Sequence, residues 1–186
     1  MISFSANVKR ELCRTAPGAK CCALAEMLGA LLYANHFSAS CIRIVTENPE
    51  FAARLKAFVA AGGTALVTFR TAVKDRNNNL VFGKSLPVDL NDLLGLYVEE
   101  TESVQELDSI PIAGEYGTGR AGVFRDMIVP ADAQVLWRYD DEFYRRYAAI
   151  TRCNYGRGTA YYLGAVPDPY AVSYTHLRAH ETRSNL

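Results

Sequence analysis

The sequence lacks most features that indicate a metal, a membrane or a nucleic-acid partner. Its five cysteines are odd in number and contain no C-x-x-C pair, which argues against a disulfide framework or a zinc knuckle. Its 20 basic and 20 acidic side chains cancel to a net charge of +0, so no global positive field attracts nucleic acid. No apolar run approaches the roughly 20 residues of a membrane span, and residues 3–14 are too polar for a signal peptide. We therefore predict a cytoplasmic protein with no metal, no cofactor and no membrane partner.

The sequence has the composition of a globular protein, and its apolar spacing predicts several helices and strands. It is 49% hydrophobic and 22% charged, enough for one good core or two small ones. Apolar residues at helical spacing predict helices at residues 3–12 and 20–34, the second rich in small residues that permit close helix packing. Asn48 followed by Pro49 is a helix-start signal, and that helix should end at residues 62–63.

Strands are indicated in several places, with local breaks between them. Residues 40–46 and 64–71 have the composition and alternation of strands, and residues 75–79 form a polar, turn-rich break. Further along, residues 89–94 predict a short helix that leads into a strand at residues 96–99, and residues 134–139 are another plausible strand.

The first part of the chain resembles the WhiA family of bacterial regulators of sporulation and cell division. The resemblance covers residues 1–82 and rests on FSANVKRELCR, the pair Cys21 and Cys22, LAEMLGALLYANHFSA and IRIVTENPEFAARL. It implies a LAGLIDADG homing-endonuclease fold that has lost its activity. Setting LGALLYANH against LAGLIDADG places Tyr33 and Asn35 where the motif has its two aspartates. Because an uncharged amide is a weak ligand for a hard cation, we expect no nuclease activity.

A small basic cluster offers possible contacts to DNA phosphates. Its members are Lys9, Arg10, Arg14 and Arg43, and a simple solvated face is the alternative interpretation. The resemblance adds little, because the main DNA-reading element of the WhiA family is a C-terminal helix-turn-helix, which this sequence lacks. We therefore expect any binding to DNA to be weak.

The second part of the chain resembles the trimerisation domain of family 42 glycoside hydrolases, which are bacterial β-galactosidases. The resemblance covers residues 85–170 and rests on SLPVDLNDLLGLYVEETESVQEL and RYDDEFYRRYAAITRCNYGRGTAYYLGAVPD. In the hairpin at residues 149–166, Gly156 and Gly158 flank Arg157 and should supply the positive φ angles of a tight turn. The resemblance implies an α/β domain, similar to class I glutamine amidotransferases, that packs subunits together and does no chemistry. The catalytic carboxylates of such enzymes belong to a TIM barrel, which is not expected here.

Three other patterns suggest chemistry at first and have simpler explanations. Glu99 with Glu100, and Asp140 with Asp141, are adjacent acids that would point to opposite faces of a strand, so they cannot flank one glycosidic bond. We expect them to be solvated. The run GTGRAG at residues 117–122 lacks the ending of a phosphate-binding loop and predicts a flexible loop.

The aromatic residues of the second part predict core or interface packing rather than sugar stacking, because they alternate along the hairpin. They are Trp137, Tyr139, Tyr144, Tyr147, Tyr155, Tyr161 and Tyr162.

The last residues have a different origin in our interpretation. Residues 171–186 can be reverse-translated into a sequencing-library adapter, so we expect a disordered artefactual tail. The sequence therefore predicts a chimera of three parts, at residues 1–82, 85–170 and 171–186. Its predicted fold class is α+β, a partial LAGLIDADG-like homing-endonuclease fold joined to a partial α/β class I glutamine-amidotransferase-like domain.

Three functions follow from these interpretations: a main hypothesis, an alternative, and a genuine fusion of the two parts with a new binding role. The main hypothesis is a non-catalytic fragment of a WhiA-like, DNA-associated regulator. The alternative is a fragment of a family 42 β-galactosidase trimerisation domain without its catalytic barrel. Self-association is expected in either case, through the trimerisation-type fragment or through the unpaired motif helix, which would expose Leu24, Leu28 and Leu31.

Overall fold

The computed structural model describes residues 49–74, 79–105, 109–115 and 117–168, together with residues 11, 14, 19, 21, 22, 36, 37, 42 and 43. The chain divides into two compact units, Met1–Arg54 with Lys74–Asn79, and Leu55–Val73 with Leu80–Leu186. In the first unit, strand β1 (His36–Phe37) pairs antiparallel with β2 (Ile42–Arg43). None of the helices in the described part of the chain is long and apolar enough to cross a membrane.

Helix α1 (Pro49–Ala60) begins in the first unit, and its residues from Leu55 belong to the second. The remaining elements form a β-rich module with one further helix, α2 (Asn91–Leu94). Its strands are β3 (Thr64–Thr68), β4 (Leu96–Ser103), β5 (Ile110–Gly114), β6 (Gly117–Gly122), β7 (Phe124–Pro130), β8 (Gln134–Tyr139), β9 (Ala148–Tyr155), β10 (Gly158–Leu163) and β11 (Val166–Pro167).

Nine strands form one sheet, in which seven follow the order β11-β6-β5-β8-β9-β10-β3. Strand β7 pairs with β4 and also joins β9 through the residue pair Ile128 and Ala148. All the described pairings in this sheet are antiparallel except that of β3 with β10, which is parallel. That parallel pair sets Thr64 opposite Thr159 and Thr68 opposite Leu163, so it joins two segments far apart in the sequence.

The turn between β9 and β10 uses its two glycines for different reasons. Gly156 has φ +60°, which confirms that this position needs a left-handed residue. Gly158 does not have a positive φ, so that prediction was wrong. A Cβ at Gly158 would lie 2.1 Å from the carbonyl oxygen of Val59 and 2.2 Å from that of Gly63. Gly158 is therefore required because the start of β10 passes against the backbone at the end of α1.

Large side chains fill the core of the sheet. Trp137, Tyr139, Tyr147 and Tyr162 are each at most 2% exposed, which confirms that these aromatic residues pack inside. The first three belong to one apolar cluster, which also contains Ile110, Ile112, Ala121, Met127, Leu136, Ala149, Ile150 and Ala165. Burying an aliphatic or aromatic side chain of this size contributes about 1.5–3 kcal/mol, so the cluster contributes substantially to stability.

The structure contradicts the predicted α+β fold class. Among residues 49–168, where described, the helices are α1, with 12 residues, and α2, with 4, while strands carry most of the core. The largest difference lies at residues 110–130, for which the sequence indicated no element and where the structure has β5, β6 and β7. The GTGRAG run is strand β6 rather than a flexible loop. It pairs with β5 on one side and β11 on the other, and these backbone bonds outweigh the low strand propensity of glycine.

Candidate functional site

A bulge in β4 determines which side chains meet beside β7. The two strands pair Val98 with Ile128 and next Thr101 with Asp126, so β4 advances three residues while β7 advances two. The extra residue on β4 is a β-bulge, which breaks the alternation of the strand. Val98 is 7% exposed and Thr101 donates a hydrogen bond to Asp126, so both face inward although they are three positions apart.

The same bulge allows two glutamates of β4 to reach one segment, which we call the 140–147 turn. The Tyr147 hydroxyl donates to Glu99 Oε2 at 2.6 Å, and the Tyr144 hydroxyl donates to Glu102 Oε1 at 3.1 Å. Regular alternation would have placed residues three apart on opposite faces. These hydrogen bonds raise the pKa of the Tyr144 and Tyr147 hydroxyls, because each hydroxyl is held in its neutral, donating form by a carboxylate.

Two arginines complete this group of side chains. The guanidinium of Arg125 lies 3.5 Å from the ring centroid of Tyr144, and its Nη1 lies 3.4 Å from Glu102 Oε2. The guanidinium of Arg146 lies 4.6 Å from the ring centroid of Tyr147 and hydrogen-bonds the hydroxyl of the same residue. Arg125 thus compensates the charge of Glu102, and cation–π contacts hold both arginines against the tyrosine rings. We call Glu99, Glu102, Arg125, Tyr144, Tyr147 and Arg146 the tyrosine–carboxylate cluster.

Asp126 forms a separate, buried hub on β7. It is 1% exposed, and its Oδ1 accepts a hydrogen bond from Thr101 Oγ1 at 2.6 Å. Its Oδ2 accepts from the Tyr162 hydroxyl at 2.6 Å and from the Arg70 backbone N–H at 3.3 Å. The Tyr139 hydroxyl donates to the backbone carbonyl of Asp126 at 3.0 Å. One residue thus ties together β4, β8, β10 and the turn that follows β3.

Burial dominates the electrostatics of this hub. Loss of hydration raises the pKa of Asp126 above its usual 3.8, although the hydrogen bonds from Thr101 and Tyr162 oppose that shift. The same burial, reinforced by the nearby Asp126 charge, raises the pKa of the Tyr139 and Tyr162 hydroxyls. Asp126, Tyr139 and Tyr162 are each at most 1% exposed, so the hub is arranged for holding strands together rather than for exchanging protons with a substrate.

A cavity of about 400 Å³ lies beside the tyrosine–carboxylate cluster. Glu102 and Arg125 line it but are already paired with each other, so they present little unmatched charge to a ligand. No group of three or more His, Cys, Asp or Glu side chains in the described residues could hold a metal ion. The lining residues are Glu102, Ser103, Val104, Gln105, Ser109, Ile110, Pro111, Arg125, Asp141 and Tyr144.

The structure gives only a partial answer on the residues singled out from the sequence. Tyr33, Asn35, Lys9 and Arg10 lie outside the described residues, as do Leu24, Leu28 and Leu31 of the motif helix. Arg14 is exposed, and Arg43 lies in β2. The roles predicted for these residues therefore stay untested by the structure.

Of the four acids that the sequence predicted to be solvated, three are exposed in the structure. Glu99, Glu100 and Asp140 are exposed, as predicted, whereas Asp141 is half-buried. Glu99 in addition accepts the hydrogen bond of Tyr147, which the sequence did not indicate.

Asp126 and Arg125 were not predicted as functional residues, although the sequence contains a signal for one of them. The run FRDMIVP at residues 124–130 places one acid between apolar residues in a segment short enough for a buried strand. A charged residue in such a position is seldom buried without partners. The bulge that brings Thr101 to Asp126 has no comparable signal in the sequence.

The fold defines a class of module: a largely antiparallel sheet around one buried carboxylate, Asp126, that is hydrogen-bonded to Thr101 and Tyr162. Comparison with known proteins identifies the module more closely. The family model described as the β-galactosidase trimerisation domain matches residues 43–180. The chain belongs to this family.

Individual relatives agree with the family match. The chain is 34% identical over 125 residues to β-galactosidase Pbg of Clostridium perfringens, a match that covers 62% of this chain and 18% of that protein. It is 33% identical over 114 residues to β-galactosidase BgaB of a Geobacillus species, which covers 61% of this chain and 17% of that protein. The chain thus spans about a fifth of the length of the curated relatives it matches.

Solved structures show the same fold. Gan42B, a family 42 β-galactosidase from G. stearothermophilus, superposes with a TM-score of 0.67 at 27% identity, covering 73% of this chain and 20% of that one. The β-galactosidase of Bacillus circulans sp. alkalophilus superposes with a TM-score of 0.60 at 29% identity, covering 63% of this chain and 18% of that one.

These matches correct the main functional hypothesis. The family match begins at residue 43, well inside the segment that was taken to resemble WhiA, and the similar proteins are β-galactosidases. The interpretation as a DNA-associated regulator was therefore wrong, and the alternative is the better one. The adapter interpretation of residues 171–186 finds no support either, since the match extends to residue 180. The three domain boundaries drawn from the sequence stay predictions.

Proposed function

We propose that this chain is an assembly module of a family 42 β-galactosidase, which contacts further copies of itself and leaves hydrolysis to other parts of such an enzyme. The single observation that carries the proposal is the match of residues 43–180 to the trimerisation domain of these enzymes. The sheet supports it, because a rigid framework with an interior of aromatic side chains is suited to presenting a fixed surface to a neighbour.

The arrangement of the acids also supports a role without chemistry. A glycosidase needs two accessible carboxyl groups, about 5–5.5 Å or about 6.5–9.5 Å apart, on either side of the scissile bond. In the described part of the chain, Asp126 is closed off from solvent and Glu99 and Glu102 accept hydrogen bonds from tyrosines. Acids engaged in this way are poor donors of a proton to a sugar oxygen.

Sedimentation equilibrium of the full chain tests the proposal. We expect a monomer–trimer equilibrium, with the trimer dominant at high protein concentration, because assembly is driven by mass action. A chromogenic galactoside assay of the same material should show no turnover above buffer. A chain that stays monomeric at every concentration, or one that hydrolyses the galactoside, would contradict the proposal.

A further inference from the structure

The 140–147 turn presents an aromatic side chain to solvent on a rigid base. Phe143 is 68% exposed, and its ring packs edge-on against Tyr144 with ring centroids 4.9 Å apart. The backbone N–H of Phe143 donates to Asp141 Oδ1 at 3.1 Å. A single exposed apolar residue is ordinary, so the case depends on what holds this one and what surrounds it.

Hydrogen bonds fix the turn from both ends. The Arg145 backbone N–H donates to the carbonyl of Asp141 at 2.9 Å, and Arg138 Nη1 donates to the carbonyl of Arg146 at 3.0 Å. Tyr144 and Tyr147, on either side of the two arginines, are bonded to glutamates of β4. Little conformational freedom remains to be lost when a partner covers Phe143, and such pre-organised aromatic residues are typical anchors of protein interfaces.

The charges around Phe143 are arranged so that one copy complements another. Three acids, Asp140, Asp141 and Glu142, precede Phe143, and two arginines, Arg145 and Arg146, follow Tyr144. The ion pair of Arg145 with Asp140 is long, at 3.8 Å, and the two side chains are 66% and 50% exposed, so both remain accessible. In a ring of three copies each contact is heterologous, and the basic end of one turn can meet the acidic end of the next.

We infer that the 140–147 turn is the surface through which copies of this chain pack around a threefold axis. Phe143 is the central anchor, and Glu142 of one copy faces Arg145 of the next. This inference rests on the proposed function and specifies where the partner, a second copy of the chain, is bound.

Two serine substitutions test the position of the anchor. Phe143→Ser should raise the midpoint concentration of the monomer–trimer equilibrium by about tenfold or more, because anchors dominate interface energies. The matched control is Phe82→Ser, since Phe82 is 86% exposed and lies outside the turn; this variant should assemble like the wild type. Circular dichroism should show both variants folded. An unchanged midpoint for Phe143→Ser, or an equal shift in both variants, would overturn the inference. The proposed function would still stand in that case, provided that the wild type forms a trimer.

A charge exchange tests the complementarity and does not depend on Phe143. Glu142→Arg and Arg145→Glu should each weaken the trimer, because like charges then meet across the contact. The double variant Glu142→Arg/Arg145→Glu should restore the midpoint to within about threefold of the wild type, since the signs are exchanged together. A double variant as weak as the single ones would overturn the inference. A wild type that never forms a trimer would overturn both this inference and the proposed function.

Discussion

Asp126 links more elements of the sheet than any of the charged residues that were singled out from the sequence. It accepts hydrogen bonds from Thr101, Tyr162 and the Arg70 backbone while almost fully buried. Removing a buried acceptor leaves its donors unsatisfied, and each such donor costs about 1–3 kcal/mol. The hub is therefore a point where a single substitution should affect several strands at once.

Replacing Asp126 with alanine tests this role. Asp126→Ala should lower the free energy of unfolding by about 3 kcal/mol, because Thr101 and Tyr162 both lose their acceptor. Thr101→Val is the matched control and should cost only about 1 kcal/mol, since it removes one hydrogen bond and leaves Asp126 with two others. Urea denaturation measures both values. Equal costs for the two variants would show that Asp126 is not a hub.

The raised pKa of Asp126 gives a prediction with a definite sign. Its folded-state pKa lies above the usual 3.8, so the protonated form favours the folded state. The resulting stabilisation is fully present below about pH 3.8 and is lost as the pH rises through the raised folded-state pKa. The stability of the wild type relative to Asp126→Asn should therefore fall across this window, as measured by urea denaturation at a series of pH values. A difference that grows with pH would show that the hydrogen bonds outweigh burial and lower the pKa.

At the scale of the elements, the start of β10 in the β9–β10 hairpin lies very close to the backbone at the end of α1. A Cβ at Gly158 would meet the carbonyl oxygens of Val59 and Gly63, which are backbone atoms and cannot move aside independently. Gly158→Ala should therefore cost about 3 kcal/mol by overpacking. Gly83→Ala is the matched control, with φ +71° and no atom within 4 Å of the added Cβ, and should cost about 1 kcal/mol from backbone strain alone. Thermal unfolding compares the two, and similar losses would contradict the close approach described here.

Elements with local signals were predictable, and those defined by distant partners were not. The pair Asn48 and Pro49 indicated the start of α1, and the glycines at residues 62–63 indicated its end to within one residue. Strand β8 was also predicted, at residues 134–139. Strand β6 was missed because its glycines gain a strand conformation only by pairing with β5 and β11. The bulge in β4, and with it the meeting of Glu99 and Glu102 with the 140–147 turn, depends on register with β7 in the same way.

At the scale of the whole molecule, the fold depends on contacts between segments that the sequence divided. Strand β3 lies in the part taken to resemble WhiA, yet it pairs in parallel along five residues with β10, which lies in the β-galactosidase part. The strand at residues 64–71 was predicted from its alternation, but the resemblance to WhiA assigned it to a LAGLIDADG-like fragment separate from the second part. The match of residues 43–180 to one family instead agrees with the continuous sheet.

The oligomeric state of the full chain tests the central claim most directly. Sedimentation equilibrium over a range of concentrations should give a weight-average mass that rises towards three times that of the monomer, because the chain is proposed to be an assembly module. A mass that remains that of the monomer at the highest concentration would contradict the account.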